Sequence, residues 1–341
     1  MRLEAYPRAA DRGLPWDRLR GVLSRVDLLL VVLLIMGVLT ALQPEFFLTR
    51  ENLTNVARQI SSNAILALGQ FVVVATAGID LSVGSVMGLC MTVLALLVKA
   101  GWPAWASLPA AILLGAAVGG ANGLALTRLH LPHPFIATLA TLNVARGVTY
   151  LLSGGVPISG LTPEVRWLGS ADLVLLEGTR FATAIPVSFL VVVALYAVGT
   201  VFMRRTRTGR HIYAVGGSPR AAQYAGLPVA RLLVLVYVLC GTLAGVAGVL
   251  LAGRVNSAYP TAGLGAELDS IAAVIIGGAS FFGGRGTPGG VFLGAVIMGL
   301  VRNGLNLMNV SVFWQQVLIG VIILLAVYVD VLRRRAARAE L

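Results

Sequence analysis

Long apolar runs, each near the ~20 residues that a helix needs to cross the hydrocarbon of a bilayer, divide almost the whole sequence. The eighth run is shorter than the others and is interrupted by Gly277, Gly278, Gly283 and Gly284, so it is typical of a broken or re-entrant helix. The sequence predicts an all-α membrane protein, a polytopic bundle of about ten transmembrane helices. The predicted spans are 26–43, 56–77, 81–99, 106–127, 134–152, 183–203, 231–252, 267–281, 289–308 and 313–331.

The composition supports a membrane protein and argues against nucleic-acid binding. Hydrophobic residues make up 57% of the chain and charged residues 12%, with a mean hydropathy of +0.88, whereas soluble domains carry about 25% charged residues. The net charge of +12 comes from Arg residues that cluster between apolar runs and at the two ends of the sequence. This distribution follows the positive-inside rule and predicts no nucleic-acid partner.

The same charge pattern predicts an orientation and a division into segments. An even number of spans places both termini on one side, and the Arg clusters put that side in the cytoplasm. We therefore expect a cytosolic arm at 1–25, a transmembrane domain at 26–332 with a cytosolic loop at 204–230, and a basic cytosolic tail at 333–341. The longest outer loop, 153–182, is amphipathic and is predicted to form a partly ordered cap.

The sequence offers no chemistry for catalysis, and we expect no cofactor. The phosphate-binding pattern G-x-x-x-x-G-K-[ST] is absent, so any ATP that drives this protein binds to another chain. Cys90 and Cys240 both lie in apolar runs and predict buried thiols rather than a disulfide. His130 and His133 lie in a proline-rich turn without a neighbouring carboxylate or thiol, which favours a turn over a metal site.

The segment VGGSPRAAQYAGL at 215–227 has its own helix start and stop. Ser218 is a favourable N-cap, Pro219 suits the first helical position and Gly226 suits the position after the helix. A helix of about seven residues is marginal in water by itself. The pattern therefore predicts a short helix in the cytosolic loop that needs a partner surface.

Four stretches carry a resemblance to a known family. The stretch AGIDLSVGSVMGL at 77–89 resembles the GIDLSVGS signature of inner-membrane permeases of ATP-binding-cassette sugar importers of the ribose and xylose type, in the branched-chain amino acid permease superfamily. Residues 138–160, 208–227 and 267–330 resemble the fifth span, the large cytosolic loop and the C-terminal third of the same family. The resemblance covers about residues 50–330.

The resemblance implies that Pro219–Ala225 is a coupling helix that docks into a separate cytosolic ATPase. Ala221, Tyr224 and Ala225 share one helix face, and Arg210 and Arg220 can meet acidic groups on that partner. The alternative is an amphipathic turn that lies against the bundle. The residues of this predicted contact are Arg210, Ser218, Pro219, Arg220, Ala221, Ala222, Gln223, Tyr224, Ala225 and Gly226.

Polar residues at membrane depth are candidates for the translocation path or a gate. Asp80, with Ser82, is predicted either to cap the third span as a hinge or to contact substrate. Arg146 is predicted to pair with Glu267 or Asp269, as an outer gate or as a static contact.

In the ninth span, Asn303 and Asn306 either form a polar stripe or make hydrogen bonds between helices. The resemblance implies a channel that binds substrate weakly, so we expect no tight, sugar-shaped pocket.

The predicted function is to carry a monosaccharide or small polyol across the bacterial inner membrane by alternating access. The implied partners are the ATPase, an external sugar-binding protein, a second permease copy or close paralogue, and membrane lipid. Permeases for branched-chain amino acids or nucleosides remain alternatives. An ion-coupled secondary transporter is also an alternative, but it predicts a carboxylate at the midplane, and the candidates here lie near the ends of spans.

Overall fold

The structure is a computed structural model that describes residues 15–129, 131–175 and 183–339. Helices dominate these residues, and four short strands accompany them. The helices are α1 (Pro15–Leu42), α2 (Arg50–Val74), α3 (Val83–Lys99), α4 (Ala104–Arg128), α5 (Pro134–Ser153), α6 (Pro163–Ser170), α7 (Val187–Arg205), α8 (Arg207–Gly217), α9 (Pro219–Tyr224), α10 (Val229–Val255), α11 (Ala266–Ile276), α12 (Pro288–Leu307) and α13 (Val312–Ala339). The strands are β1 (Ile158–Ser159), β2 (Asp172–Leu175), β3 (Thr183–Pro186) and β4 (Ser257–Ala258).

Six helices of the described residues are long and apolar enough to cross a membrane: α4, α5, α7, α10, α12 and Val312–Val331 of α13. Two shorter apolar helices, Asp27–Leu42 and Val83–Lys99, accompany them. A multi-pass membrane protein is therefore confirmed, whereas the count of about ten spans stays a prediction. The predicted arm ends inside α1, which begins at Pro15, and residues 1–14 lie outside the described part.

The eighth predicted span, 267–281, is short and broken, as its glycines indicated. Its helix α11 has 11 residues and ends at Ile276, which is ~16 Å at 1.5 Å per residue and too short to cross the hydrocarbon alone. Gly278 follows with φ +81°, a backbone conformation that residues with a Cβ rarely adopt. The chain then runs without a helix to Pro288.

Helix α10 lies at the centre of the bundle, and its largest contact is with α4. Glycines allow the two backbones to approach closely: a Cβ added at Gly119 would overlap the carbonyl oxygen of Tyr237, and one added at Gly115 would overlap that of Gly241. Small residues thus let α4 and α10 pack backbone against backbone.

Short strand pairs order the segments between the helices of this mostly helical chain. β1 pairs antiparallel with β4, and β2 pairs antiparallel with β3. Backbone groups that leave a helix near a buried surface need partners, and these short ladders supply them.

The predicted cap at 153–182 contains β1, α6 and β2, and Gly169 of α6 lies against the Gly253 backbone of α10. Residues 176–182 of this cap lie outside the described residues.

Candidate functional site

The short helix in the 204–230 loop is present, and its caps are those that the sequence predicted. The Ser218 hydroxyl accepts a hydrogen bond from the Ala221 amide at 3.2 Å, and Pro219 occupies the first turn. Gly226 has φ +78°, as a residue after a helix C-terminus commonly does. Helix α9 ends at Tyr224, so Ala225 is its C-cap rather than its last residue.

One side of α9 faces the protein and the other faces outward. Ala222 is buried together with Val215 and Leu232, whereas Ala221 and Ala225 are exposed and the Tyr224 residue is 91% exposed. The predicted face of the helix therefore points away from the bundle, which disfavours the alternative of a turn lying against it. Gln223 and Arg220 are exposed as well, and Arg210 donates to the Arg205 carbonyl at 3.3 Å.

Helix α8 attaches α9 to two turns of the bundle, a contact that the sequence analysis missed. The Gly284 amide donates to the Ala75 carbonyl at 3.0 Å, and a Cβ added at Gly216 would overlap that same carbonyl oxygen. Tyr213 donates to the Gly286 carbonyl at 2.9 Å, and burial raises the pKa of Tyr213 to about 12, so the phenol keeps its proton at neutral pH. Helix α8 thus packs against the turn after α2 and against the segment between α11 and α12.

Asp80 is buried and organises a polar network before α3. Its Oδ1 accepts from the Ser82 amide at 2.8 Å and from the Ser82 hydroxyl at 2.6 Å. Asn122 donates to Ser82 at 2.9 Å and accepts from Thr141 at 2.5 Å. The network joins the start of α3 to α4 and α5.

The prediction that Asp80 caps the third span needs a correction. The Oδ1 atom of Asp80 accepts hydrogen bonds from the Ser82 amide and hydroxyl, not from an amide inside the helix. Helix α3 begins at Val83, and the N-cap Ser82 makes no side-chain cap bond. Asp80 lies two residues before the cap and forms a local turn of the kind that Asp favours. The residues that the sequence analysis missed are Asn122 and Thr141, which lie 40 and 59 positions further along the chain than Ser82.

The predicted pairing of Arg146 with Asp269 is wrong. Arg146 donates to the carbonyls of Pro260 and Ala262 at 2.8 and 2.6 Å, while Asp269 pairs with Arg302 at 2.6 Å. Two residues apart on a helix are about 200° apart around its axis. Glu267 and Asp269 therefore face different neighbours, and both cannot meet Arg146.

Glu267 lies against Gly84 at the start of α3, and its Oε2 is buried with no hydrogen-bond partner among the described residues. Arg146 and Glu267 attract each other across a gap, but they do not form an ion pair. The predicted pair of Arg146 and Glu267 is thus a longer-range attraction rather than a direct ion pair.

The two asparagines of the ninth span join helices. Asn303 is buried and exchanges hydrogen bonds with Asn52 of α2 at 2.8 and 3.2 Å, and Asn306 accepts from Gln315 of α13 at 2.8 Å. These amides already have partners, so the geometry favours the alternative of hydrogen bonds between helices over a free polar stripe.

His133 acts as a helix cap. Its Nδ1 accepts from the Phe135 amide at 3.2 Å where α5 begins, and His130 lies outside the described residues. Within residues 15–129, 131–175 and 183–339, no group of three or more His, Cys, Asp or Glu could hold a metal ion.

Breaking the pair between Arg302 and Asp269 gives a stability prediction. The side chains of Arg302 and Asp269 are 37% and 14% exposed, so the pair is intermediate between a surface pair and a buried pair. A surface pair contributes up to about 1 kcal/mol, and breaking a buried pair costs about 3–5 kcal/mol. We expect Asp269→Asn to destabilise the protein by about 1–2 kcal/mol, measured by thermal unfolding in detergent. The exchange Asp269→Arg with Arg302→Asp should recover part of the loss, and Glu164→Gln on exposed α6 is the control. An unfolding temperature equal to wild type for Asp269→Asn would show that the pair contributes nothing.

Comparison with known proteins gives the family. The family described as "Branched-chain amino acid transport system / permease component" matches residues 52–327. This chain belongs to that family. The match begins in the first turn of α2 and ends in α13, so the permease family spans nearly all of the described bundle.

Curated relatives of this permease-family chain are named as sugar permeases. The ribose import permease protein RbsC of Escherichia coli is 40% identical over 303 residues, which are 89% of this chain and 92% of the relative. The D-allose transport system permease protein AlsC of Escherichia coli is 37% identical over 88% of this chain and 89% of the relative. The galactose/methyl galactoside import permease protein MglC of Salmonella typhimurium is 35% identical over 89% of this chain and 93% of the relative.

Among solved structures, a metal-chelate type ABC transporter in an inward-facing conformation is similar at 17% identity and TM-score 0.46, over 82% of this chain and 88% of the other.

Proposed function

We propose that this chain is the transmembrane permease subunit of an ATP-driven importer for a monosaccharide or similar small polyol. The observation that carries the proposal is the set of relatives named for ribose, allose and galactose, each covering at least 88% of this chain. The chain supplies the pathway, and a separate ATPase supplies the energy that shifts it between outward- and inward-open states. We place it in the bacterial inner membrane with both termini cytoplasmic, about ten spans and the cap at 153–182 outside.

The partner contacts of this proposal rest on exposed surfaces. Helix α9 with Tyr224 is the contact with the cytosolic ATPase, because an exposed aromatic on a short anchored helix fits a groove on another protein. A second permease copy or close paralogue would cover apolar surface of the bundle, and α13 exposes Val317, Leu324 and Leu325. An external sugar-binding protein would deliver cargo to the cap.

A permease for branched-chain amino acids is the second candidate, favoured by the printed description of the family. It shares the ATPase and the second permease copy with the first proposal and differs in its cargo and in the external binding protein that delivers it. The relatives that are named for sugars align with a larger share of this chain than the family model does. We therefore place the sugar first.

Reconstitution tests both candidates. We expect proteoliposomes that contain this chain, its ATPase and the co-encoded binding protein to accumulate D-ribose, D-allose or D-galactose. This accumulation should occur only when ATP is present on the side of the membrane where the ATPase is bound. L-Leucine is the matched cargo control, and the chain without its ATPase is the energy control. Accumulation of leucine instead of any sugar would replace the first candidate by the second, and uphill uptake by the chain alone would overturn both.

A further inference from the structure

An open pocket lies beside the start of α8, where one membrane-crossing helix ends and another begins. Its volume is about 440 Å³. Helix α7 ends at Arg205 and α12 begins at Pro288, so the pocket lies at the level where the bilayer meets water, on the side that we propose is cytosolic. We call it the arginine pocket, and its lining includes Met203, Arg204, Arg210, Tyr213, Arg285 and Thr287.

Three Arg residues from three separate elements meet at this pocket. Arg204 lies in the last turn of α7, Arg210 in α8 and Arg285 in the segment between α11 and α12. None of the described residues that line the pocket is an Asp or a Glu, and the sequence carries no acid between Glu177 and Glu267. Cations that are gathered in this way repel one another, and an anion that binds among them relieves the repulsion.

The guanidinium groups of the pocket have donors to spare. Neither of the two ion pairs of the described residues involves them. Arg210 uses one N–H on the Arg205 carbonyl at 3.3 Å, while the side chains of Arg204 and Arg285 donate to no described residue. Each guanidinium has five N–H donors, so most donors of the three side chains are available to a ligand.

Asp330, which lies in the adjoining cavity, does not neutralise the pocket. Arg285 lines that cavity too, but the Asp330 carboxylate accepts hydrogen bonds from the Ser280 hydroxyl at 3.3 Å and from the Phe281 amide at 3.1 Å. It forms no ion pair with Arg285. The positive charge of the arginine pocket therefore stays uncompensated among the described residues.

The donor set favours a phosphate group over a single carboxylate. The planar fork of Arg matches the oxygens of a phosphate with two parallel hydrogen bonds, and a phosphate has enough oxygens for more than one Arg to donate to it. Thr287, the N-cap of α12, accepts from the Gly290 amide at 3.1 Å. The start of α12 at this residue adds the positive partial charge of a helix N-terminus.

We propose that the arginine pocket binds the phosphate group of an anionic ligand, which Arg204, Arg210 and Arg285 hold. A phospholipid headgroup and a free phosphate both offer this group. The inference goes beyond the proposed function, because this ligand is neither the cargo nor the ATP of the partner chain. It also moves Arg210 from the predicted ATPase contact to the pocket. A bound phosphate would tie α8, which carries α9, to the end of α7 and to the segment before α12.

Two binding measurements on the full chain in lipid nanodiscs test the pocket and separate the two sources. The first is isothermal titration with inorganic phosphate in nanodiscs of phosphatidylcholine at low ionic strength. The second is native mass spectrometry of the chain from nanodiscs of phosphatidylcholine and phosphatidylglycerol in equal parts. We expect wild type to bind inorganic phosphate or to retain phosphatidylglycerol in preference to phosphatidylcholine. Arg204→Gln with Arg285→Gln should weaken that binding by about tenfold or more.

The matched control is Arg205→Gln with Arg220→Gln. It removes the same charge from exposed positions on the same side of the protein, but neither side chain lines the pocket, so it should bind as wild type does. Arg204→Lys with Arg285→Lys keeps the charge without the paired donors. It should show a smaller loss, and it replaces the Gln pair if that variant does not insert.

The two measurements decide between sources and between explanations. Binding of inorganic phosphate identifies a soluble ligand, and retention of phosphatidylglycerol alone identifies a lipid headgroup. Wild type that binds neither probe overturns the inference, and so does an equal loss in the two Gln pairs, which would show a diffuse effect of charge. If wild type binds neither probe and the Arg204→Gln, Arg285→Gln variant loses the ATPase on co-purification, these arginines meet acidic side chains of that partner instead.

Discussion

We expect the replacement of Tyr224 by Ala together with Ala221 by Asp to remove most of the ATP hydrolysis that is coupled to transport, while the chain remains inserted in the membrane. The Tyr224 ring is the largest exposed apolar group of α9, and an aromatic anchor of an interface is worth about 2–4 kcal/mol. The Asp adds a buried, unpaired charge if the same face enters a groove. We expect stimulation of ATPase activity to fall at least tenfold, measured with the reconstituted complex.

Two variants separate docking from folding in this experiment. Tyr224→Phe keeps the ring and should couple nearly as wild type does, whereas Trp167→Ala removes a comparably exposed aromatic from α6 in the predicted outer cap and should leave co-purification of the ATPase unchanged. The thermal unfolding of the double variant should equal that of wild type, because Tyr224 and Ala221 make little contact with the bundle. Full coupling in the double variant would refute the docking role of α9.

Gly119→Ala is the substitution from which we expect the largest loss of stability. A Cβ at this position would overlap the Tyr237 carbonyl, and backbone cannot rotate away as a side chain can. Helices α4 and α10, which form the largest helix contact of the bundle, must then separate. Overpacking of this kind costs about 3 kcal/mol, and we expect the unfolding temperature in detergent to fall by roughly 4 °C.

The next residue provides a matched control for this prediction. A Cβ at Gly120 would meet only the Val238 side chain, at 3.4 Å, and Ala is a better helix former than Gly by about 0.5–1 kcal/mol. Gly120→Ala should therefore unfold at the wild-type temperature or slightly above it. If the two variants unfold alike, close backbone approach at Gly119 does not hold α4 against α10.

The candidate coupling segment shows how much a local pattern can predict. The short helix is predicted by Ser218, Pro219 and Gly226. Capping, a fixed φ and a left-handed backbone depend only on a few adjacent residues, so a local pattern is enough to predict them. The sequence also placed Tyr224 on the exposed face of α9, since positions three and four apart lie together on any helix. Its contact with an ATPase stays a prediction.

The polar contacts inside the bundle show where such reasoning stops. Arg146 and Asp269 are both costly at membrane depth by residue type alone, but their partners depend on how α11 is rotated about its axis. Asn303 was predicted either on a polar stripe or in a hydrogen bond between helices, and its partner Asn52 lies 251 positions away in the chain. A pattern of residue types holds no information about rotation or about which helices become neighbours.

The sequence by itself determined that this chain is a bundle of apolar helices, where many of them begin and end, and that the eighth predicted span is broken. The length and apolar content of a span and the residues that cap a helix act through the surrounding solvent and through adjacent residues. A short stretch of sequence is therefore enough to predict these features. Only the tertiary structure decided which polar groups are satisfied and which are not. Asp269 meets Arg302 and Asn303 meets Asn52 because packing brings together side chains that are distant in sequence, whereas the buried Oε2 of Glu267 receives no hydrogen bond among the described residues.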